Sequence, residues 1–285
     1  MKTLLSIGHG FSARALVPLL DGFRVIGTTR TEEKAAALRG EGLEAVVWPG
    51  TDLSPLILGA THILSSVAPG DGDPVLDAYA DTLRHAPAQW VGYLSTTGVY
   101  GDRGGDWVDE SSALEPATKR GRARVRAEGA WAELGLPLHI FRLAGIYGPG
   151  RGPFAKVRAG TARRIIKPGQ VFSRIHVEDI AQVLAASIAR PDPDARERSA
   201  IYNVCDDDPA PPQEVIAHAA NLLDLPVPEA VRIEDAEMTP MARSFYAESK
   251  KVRNDRIKRD LGVVLKYPDY RAGLADLLVR EGAAH

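Results

Sequence analysis

A short apolar run, Thr3 to Ile7, leads directly into Gly8-His9-Gly10-Phe11-Ser12-Ala13. Phe11, Leu16 and Leu20, with Val17 and Leu19 widening the apolar face, predict a helix immediately after it. A G-x-G-x-x-A spacing in a strand-turn-helix setting restricts what such a chain can fold into. Glycine at the turn permits backbone angles that a side chain resists. The second glycine lets a pyrophosphate approach the backbone, and Ala13 allows the helix to pack closely on the strand. The helix start offers free N–H groups and a positive dipole end to phosphates. Gly8, Gly10, Phe11, Ser12 and Ala13 are therefore expected to hold a dinucleotide pyrophosphate. A mere tight turn is the competing reading.

Further short apolar runs alternate with helical patterns, as in βαβ units feeding a parallel sheet. Strands are predicted at Thr3 to Ile7, Phe23 to Thr28, Ala45 to Trp48, His62 to Val67, Trp90 to Ser95, Leu138 to Leu143 and Ala200 to Val204. Asp73-Pro74 reads as an N-cap and first helical residue. Beyond Gly148 the pattern loosens into proline-rich loops. The expected fold class is α/β, a Rossmann-type doubly wound parallel sheet with a smaller C-terminal substrate lobe. The core is expected over residues 1–150, completed by about 174–205, with about 151–173 and 206–285 forming the smaller, interleaved lobe. The basic stretch Ser249 to Arg259, with Val252 and Ile257 as its apolar residues, predicts an amphipathic helix with a solvated face.

Composition excludes several classes. A chain of 285 residues with 45% hydrophobic content can bury a large core. With 35 basic against 37 acidic side chains there is no general attraction to nucleic acid or to an anionic membrane, so neither partner is expected. One cysteine, Cys205, excludes an internal disulfide framework, and the early glycine and histidine leave no signal-peptide core, so a cytoplasmic setting is expected. The seven histidines show no ligand spacing, and no metal is expected.

The second strand ends Gly27-Thr28-Thr29-Arg30, with no acid until Glu32. An acid there ordinarily accepts hydrogen bonds from an adenosine ribose. Thr29 leaves room for a 2′-phosphate and Arg30 could pair with it, so NADP is preferred over NAD as cofactor. The alternative for Arg30 is a solvated residue at a strand end.

Four segments carry a family resemblance. Leu94-Ser95-Thr96-Thr97-Gly98-Val99-Tyr100-Gly101 resembles the fifth-strand motif of extended short-chain dehydrogenases/reductases, the epimerase/dehydratase-like group. Phe141 to Gly150 resembles that group's strand-loop after the catalytic helix, Arg174 to Ala181 its I-H-V-x-D segment, and Tyr202-Asn203-Val204 its last core strand. The resemblance implies an NAD(P)-dependent oxidoreductase or epimerase/dehydratase acting on a small anionic or nucleotide-linked substrate. It also implies a homodimer paired through flanking helices. Thr96 matches the group's catalytic hydroxyl, and Tyr100 is a second candidate. Ser66 and Val67, ending the fourth strand, join the cofactor set. The group's Tyr-x-x-x-Lys is missing, because alignment on Ala127-Glu128 puts Arg120 at the tyrosine and Arg124 at the lysine. An arginine stays protonated and cannot act as the phenol does. Arg124 is expected on the cofactor, at its ribose or a phosphate. Arg120, with Arg142, Arg151, Arg174 and His176, is expected around an anionic substrate. A non-catalytic dinucleotide-binding regulator or sensor is the rival reading.

Overall fold

In the computed structural model, which describes residues 1–283, the chain begins with β1 (Lys2–Ile7), α1 (Phe11–Leu16), β2 (Phe23–Thr29), α2 (Glu32–Gly40) and β3 (Glu44–Val47). It continues through α3 (Ser54–Gly59), β4 (His62–Ser65), α4 (Pro74–Arg84), β5 (Trp90–Thr96), β6 (Trp107–Val108) and the long α5 (Lys119–Ala132). Then follow β7 (Leu138–Leu143), β8 (Gly145–Tyr147), α6 (Phe154–Arg158), β9 (Arg164–Ile166), β10 (Arg174–His176), α7 (Val177–Ala189) and β11 (Ala200–Val204). The last elements are α8 (Pro212–Leu222), β12 (Ala230–Arg232), α9 (Pro240–Phe245), β13 (Lys251–Val252), α10 (Asp255–Arg259) and α11 (Tyr270–Ala283).

The seven strands expected from the apolar runs join one parallel sheet in the order β11-β7-β5-β4-β1-β2-β3. Leu4 stands opposite both Val25 of β2 and His62 of β4. Sequence direction reverses at β1, so the loops after β1 and β4 part and leave a crevice at the carboxyl edge. Neighbouring side chains on a strand point to opposite faces, and Leu4 and Leu5 enter different apolar clusters. One cluster packs with α1 and α7 through Leu16, Ile180 and Leu184, the other with α4 and α5 through Val75, Leu83 and Trp131. A third core, with Phe154, Val215, Ala219, Leu274 and Leu277, joins α6, α8 and α11.

Asp73 caps α4 as expected, accepting from the Val75 and Leu76 amides at 2.9 and 3.2 Å; its other oxygen accepts from Trp131 Nε1 at 3.0 Å. Two expectations need correction. The first helix ends at Leu16 and becomes a 3-10 turn over Val17–Leu19, because Pro18 cannot donate into an α-helical ladder; Leu19 is 47% exposed. The stretch from Ser249 is a strap and then a strand, not a helix. Ser249 N donates to Asp102 Oδ1 at 2.8 Å, and Ser249 O accepts from the amides of Arg103 and Gly105 at 3.0 Å. β13 pairs with β6, and only Asp255–Arg259 turns helical. Val252 and Ile257 are nevertheless buried, as their apolar character requires. Cys205 is also buried, and desolvation pushes its thiol well above its ordinary value, so it is not a reactive thiolate.

Burial pushes His9, His62, His139 and His176 down to about 4. Unfolded histidines titrate near 6.5, so these groups stabilise the fold fully above that pH and lose the contribution as pH falls towards 4. Asp206, pushed up to about 8, and Asp179, pushed up to about 6, act in the opposite sense but are fewer. The thermal midpoint is therefore expected to drop on acidification from pH 6.5 to 4.5, by on the order of 1 kcal/mol of stability per histidine. A flat calorimetric profile across that range would contradict it.

Candidate functional site

The loop after β1 is fastened at its edges and bare in the middle. Gly8 adopts φ +80°, and a Cβ there would stand 3.0 Å from Val67 Cγ2. Its amide donates to Thr28 Oγ1 at 2.8 Å, the His9 amide to Thr28 O at 2.8 Å, and Ser66 Oγ to Gly8 O at 2.5 Å. Gly10 is exposed, and a Cβ there would meet only Gly8 O at 3.7 Å. His9 is folded out of the way, buried, with Nδ1 3.0 Å from Ser6 Oγ. Desolvation, then the Arg14 charge, keeps its imidazole neutral.

This loop forms one wall of a cleft of about 790 Å³ at the carboxyl edge, to which Gly8, Gly10, Phe11, Ser12, Ala13 and Ser66 contribute. Val67 backs the loop and is not in the wall. Thr96, at the end of β5, lines the floor; its hydroxyl oxygen accepts from Gly98 N at 3.1 Å, which leaves its own proton free for a donor role. Helix α5 comes up beside it, and Gly121 permits the approach: a Cβ there would lie 2.7 Å from Gly98 O. Arg124 points to the cleft, held by hydrogen bonds to Leu94 O at 2.6 Å and Tyr93 OH at 3.0 Å. One turn earlier, Arg120 is exposed in the same cleft, its guanidinium 5.0 Å from the centre of the Phe245 ring on α9.

Other expected residues go elsewhere. Arg142 is not a substrate group. It is buried and fully engaged, with Nη2 2.8 Å from Glu128 Oε2 and Nη1 donating to Tyr100 OH at 2.9 Å. Tyr100 is buried behind the cleft and outside its wall, donates to Asn203 Oδ1 at 2.7 Å, and has its phenol pushed up to about 12 by desolvation. His176 is the N-cap of α7, accepting from Glu178 N at 3.2 Å, with its ring 4.1 Å from that of Tyr267; it lies outside the cleft wall. Arg151 and Arg174 do line the cleft. Arg151 is exposed with its guanidinium 5.7 Å from the Phe11 ring, whereas Arg174 donates to the carbonyls of Phe172 and Ala210 at 2.9 and 3.0 Å. Thr29 lines an adjoining cavity between α1, α2 and α7, together with His9 and Lys34; Arg30 is exposed outside that wall.

Sequence reasoning missed Phe172, Phe245, Glu248 and Lys250, all in the cleft wall. Lys250 Nζ donates to Gly101 O at 2.7 Å and pairs with Glu248 Oε2 at 2.8 Å. The sole signal was two opposite charges two residues apart, at the start of a basic stretch otherwise read as a solvated helix. Among the described residues no cluster of His, Cys, Asp and Glu could hold a metal ion, and no helix is long and apolar enough to cross a membrane.

No family model matches the chain. A conserved protein of unknown function from Silicibacter pomeroyi has a solved structure that is 58% identical, covering 99% of both chains, with a TM-score of 0.91. UDP-glucuronic acid 4-epimerase from Bacillus cereus, solved with NAD, is 14% identical over 98% of this chain and 99% of its own, with a TM-score of 0.74, a likeness of fold. In sequence, Protein YeeZ of Escherichia coli is 27% identical over 288 residues, 94% of this chain and 97% of its own. A 3-diazoavenalumate denitrifying reductase of Streptomyces is 28% identical over 254 residues, 85% of this chain and 71% of its own.

Proposed function

We propose that the chain is an atypical member of the extended short-chain dehydrogenase/reductase group, that it binds a nicotinamide dinucleotide across the carboxyl edge of the sheet, and that it exchanges hydride with a small anionic substrate in the cleft. The observation that carries this is the bare Gly10 backbone at the switch point, opening into the same cleft as Thr96 and Arg120. The loop fits a pyrophosphate, since no side chain obstructs it and its outer amides are already satisfied. An epimerase solved with NAD and a relative named a reductase favour the same reading.

When bound, the nicotinamide supplies or accepts the hydride. Arg124, held by β5, has N–H groups left for the adjoining ribose. The Thr96 hydroxyl donates a hydrogen bond to a substrate oxygen and positions it. Arg120 binds the substrate's anion and releases no proton. Lys250, bonded to Gly101 O and paired with Glu248, lines the same wall. Arg120 in place of a phenol equally favours a regulatory dinucleotide binder. Calorimetric binding of NADPH without any hydride exchange over a panel of carbonyl acids would select that reading. Failure to bind NADPH and NADH alike would overturn both.

The same reading prefers NADP. Thr29 replaces an acid that would repel a 2′-phosphate, and Arg30 and Lys34 stand nearby without acidic partners. Arg30→Ala is expected to weaken NADPH binding by about 1–3 kcal/mol, the range of a charge-assisted hydrogen bond, and to leave NADH binding unchanged. Equal losses for both cofactors in a titration would remove Arg30 from the site.

A further inference from the structure

The substrate wall of the cleft carries more information than its sign. Arg124 lines it, but it is aimed by Leu94 O and Tyr93 OH and its remaining N–H groups serve the cofactor ribose in the reading above, while Arg174 is held by the Phe172 and Ala210 carbonyls. Lys250 is paired with Glu248, the sole acid in the wall among the described residues. Arg151 stands over Phe11, at the phosphate loop, on the cofactor side. That leaves Arg120 as the guanidinium free for a substrate anion, and one guanidinium fork matches one carboxylate. A diphosphate would need at least two such groups and would also face the Glu248 carboxylate.

The surroundings of Arg120 are aromatic. Phe245 lies beneath it, 52% exposed at the cleft wall. Phe172 lines the same cleft, steadied edge-on by Tyr246 with ring centres 5.8 Å apart. Phe245 is exposed and Phe172 half-buried, and ring surface at the wall of a concave site offers stacking, with an energy beyond simple area burial when the incoming group is itself aromatic. A flat ring against these phenylalanines would carry its carboxylate to Arg120.

We propose that the substrate is an aryl monocarboxylate, its ring against the Phe245 and Phe172 side and its carboxylate on Arg120. This rests on the reading of the cleft as a cofactor-dependent substrate site, and the test separates the two. The full chain, saturated with NADPH, is titrated calorimetrically with 4-hydroxycinnamate, with cyclohexanecarboxylate as an acid of equal charge lacking a π-system, and with UDP-glucuronate. The aryl acid is expected to bind about tenfold or more tightly than the saturated acid, from the aromatic contribution to stacking. Binding of UDP-glucuronate is expected to be weaker still. Arg120→Met should weaken the aryl acid by about tenfold or more, as loss of one charge-assisted contact predicts. Phe245→Ser should narrow the gap between the two acids. Both side chains are exposed, and unchanged thermal midpoints would show that the variants fold. Equal binding of the two acids, tighter binding of UDP-glucuronate, no aryl binding, or no effect of Arg120→Met overturns the assignment. If NADPH itself fails to bind, the cofactor reading falls, and the same titration on the unliganded protein still decides the aryl site by the same criteria.

Discussion

Replacing Gly10 with valine is expected to abolish measurable dinucleotide binding while leaving the fold cooperative. A Cβ at this position meets nothing closer than 3.7 Å in the protein itself, and the backbone there lies outside the positive-φ region, so the folded chain accepts the side chain. The isopropyl group instead fills the space a pyrophosphate would take against the helix start. Loss of several charge-assisted hydrogen bonds at about 1.5–3 kcal/mol each makes this the largest binding effect available from one substitution. Calorimetry with NADPH, alongside a thermal scan, checks both halves. Unchanged affinity would move the cofactor away from this loop.

The largest effect on stability is expected from Glu128→Ala. Glu128 projects from α5 into the core, where Ser95 Oγ donates to it at 2.5 Å and Arg142 meets it at 2.8 Å, with both charged side chains almost completely enclosed. Removing one partner strands a buried guanidinium, at a cost of about 3–5 kcal/mol. Chemical denaturation measures the loss. Adding Arg142→Met should recover part of it, because the stranded charge and not the missing pair carries most of the penalty. A loss below about 1 kcal/mol would show that water reaches the pair.

The sheet was legible because its signal is local. Each long strand is a short apolar run bounded by turn residues, and strands buried on both faces leave such runs whatever the remote context. The glycine turn after β1 was legible for the same reason. Arg142 misled because a strand residue's position says which loop follows it, not whether a helix 14 residues earlier in the chain sends an acid to meet it. Tyr100 and His176 were similarly absorbed by distant partners, Asn203 and Tyr267. The wall of the cleft opposite the β1 loop was least legible. Phe245, Glu248 and Lys250 sit on a short helix and a strap whose conformation comes from contacts with Asp102, Gly105 and Gly169, far away in sequence. The small paired strands β6, β8, β9, β10, β12 and β13 have two or three residues each, too few to leave a period.

Arg120, Arg124 and Glu128 follow one another at four-residue intervals along α5, a single stripe that starts in the cleft and ends in the core. The rotation of the helix about its own axis is thus fixed at its inner end, by the ion pair, and at its middle, by the bonds from Arg124 to β5. Whatever side chain occupies position 120 is delivered to the same spot above the cleft without having to hold the helix there. Descendants of such a chain can exchange that one residue, and with it the chemistry of the site, while the frame that aims it stays in register.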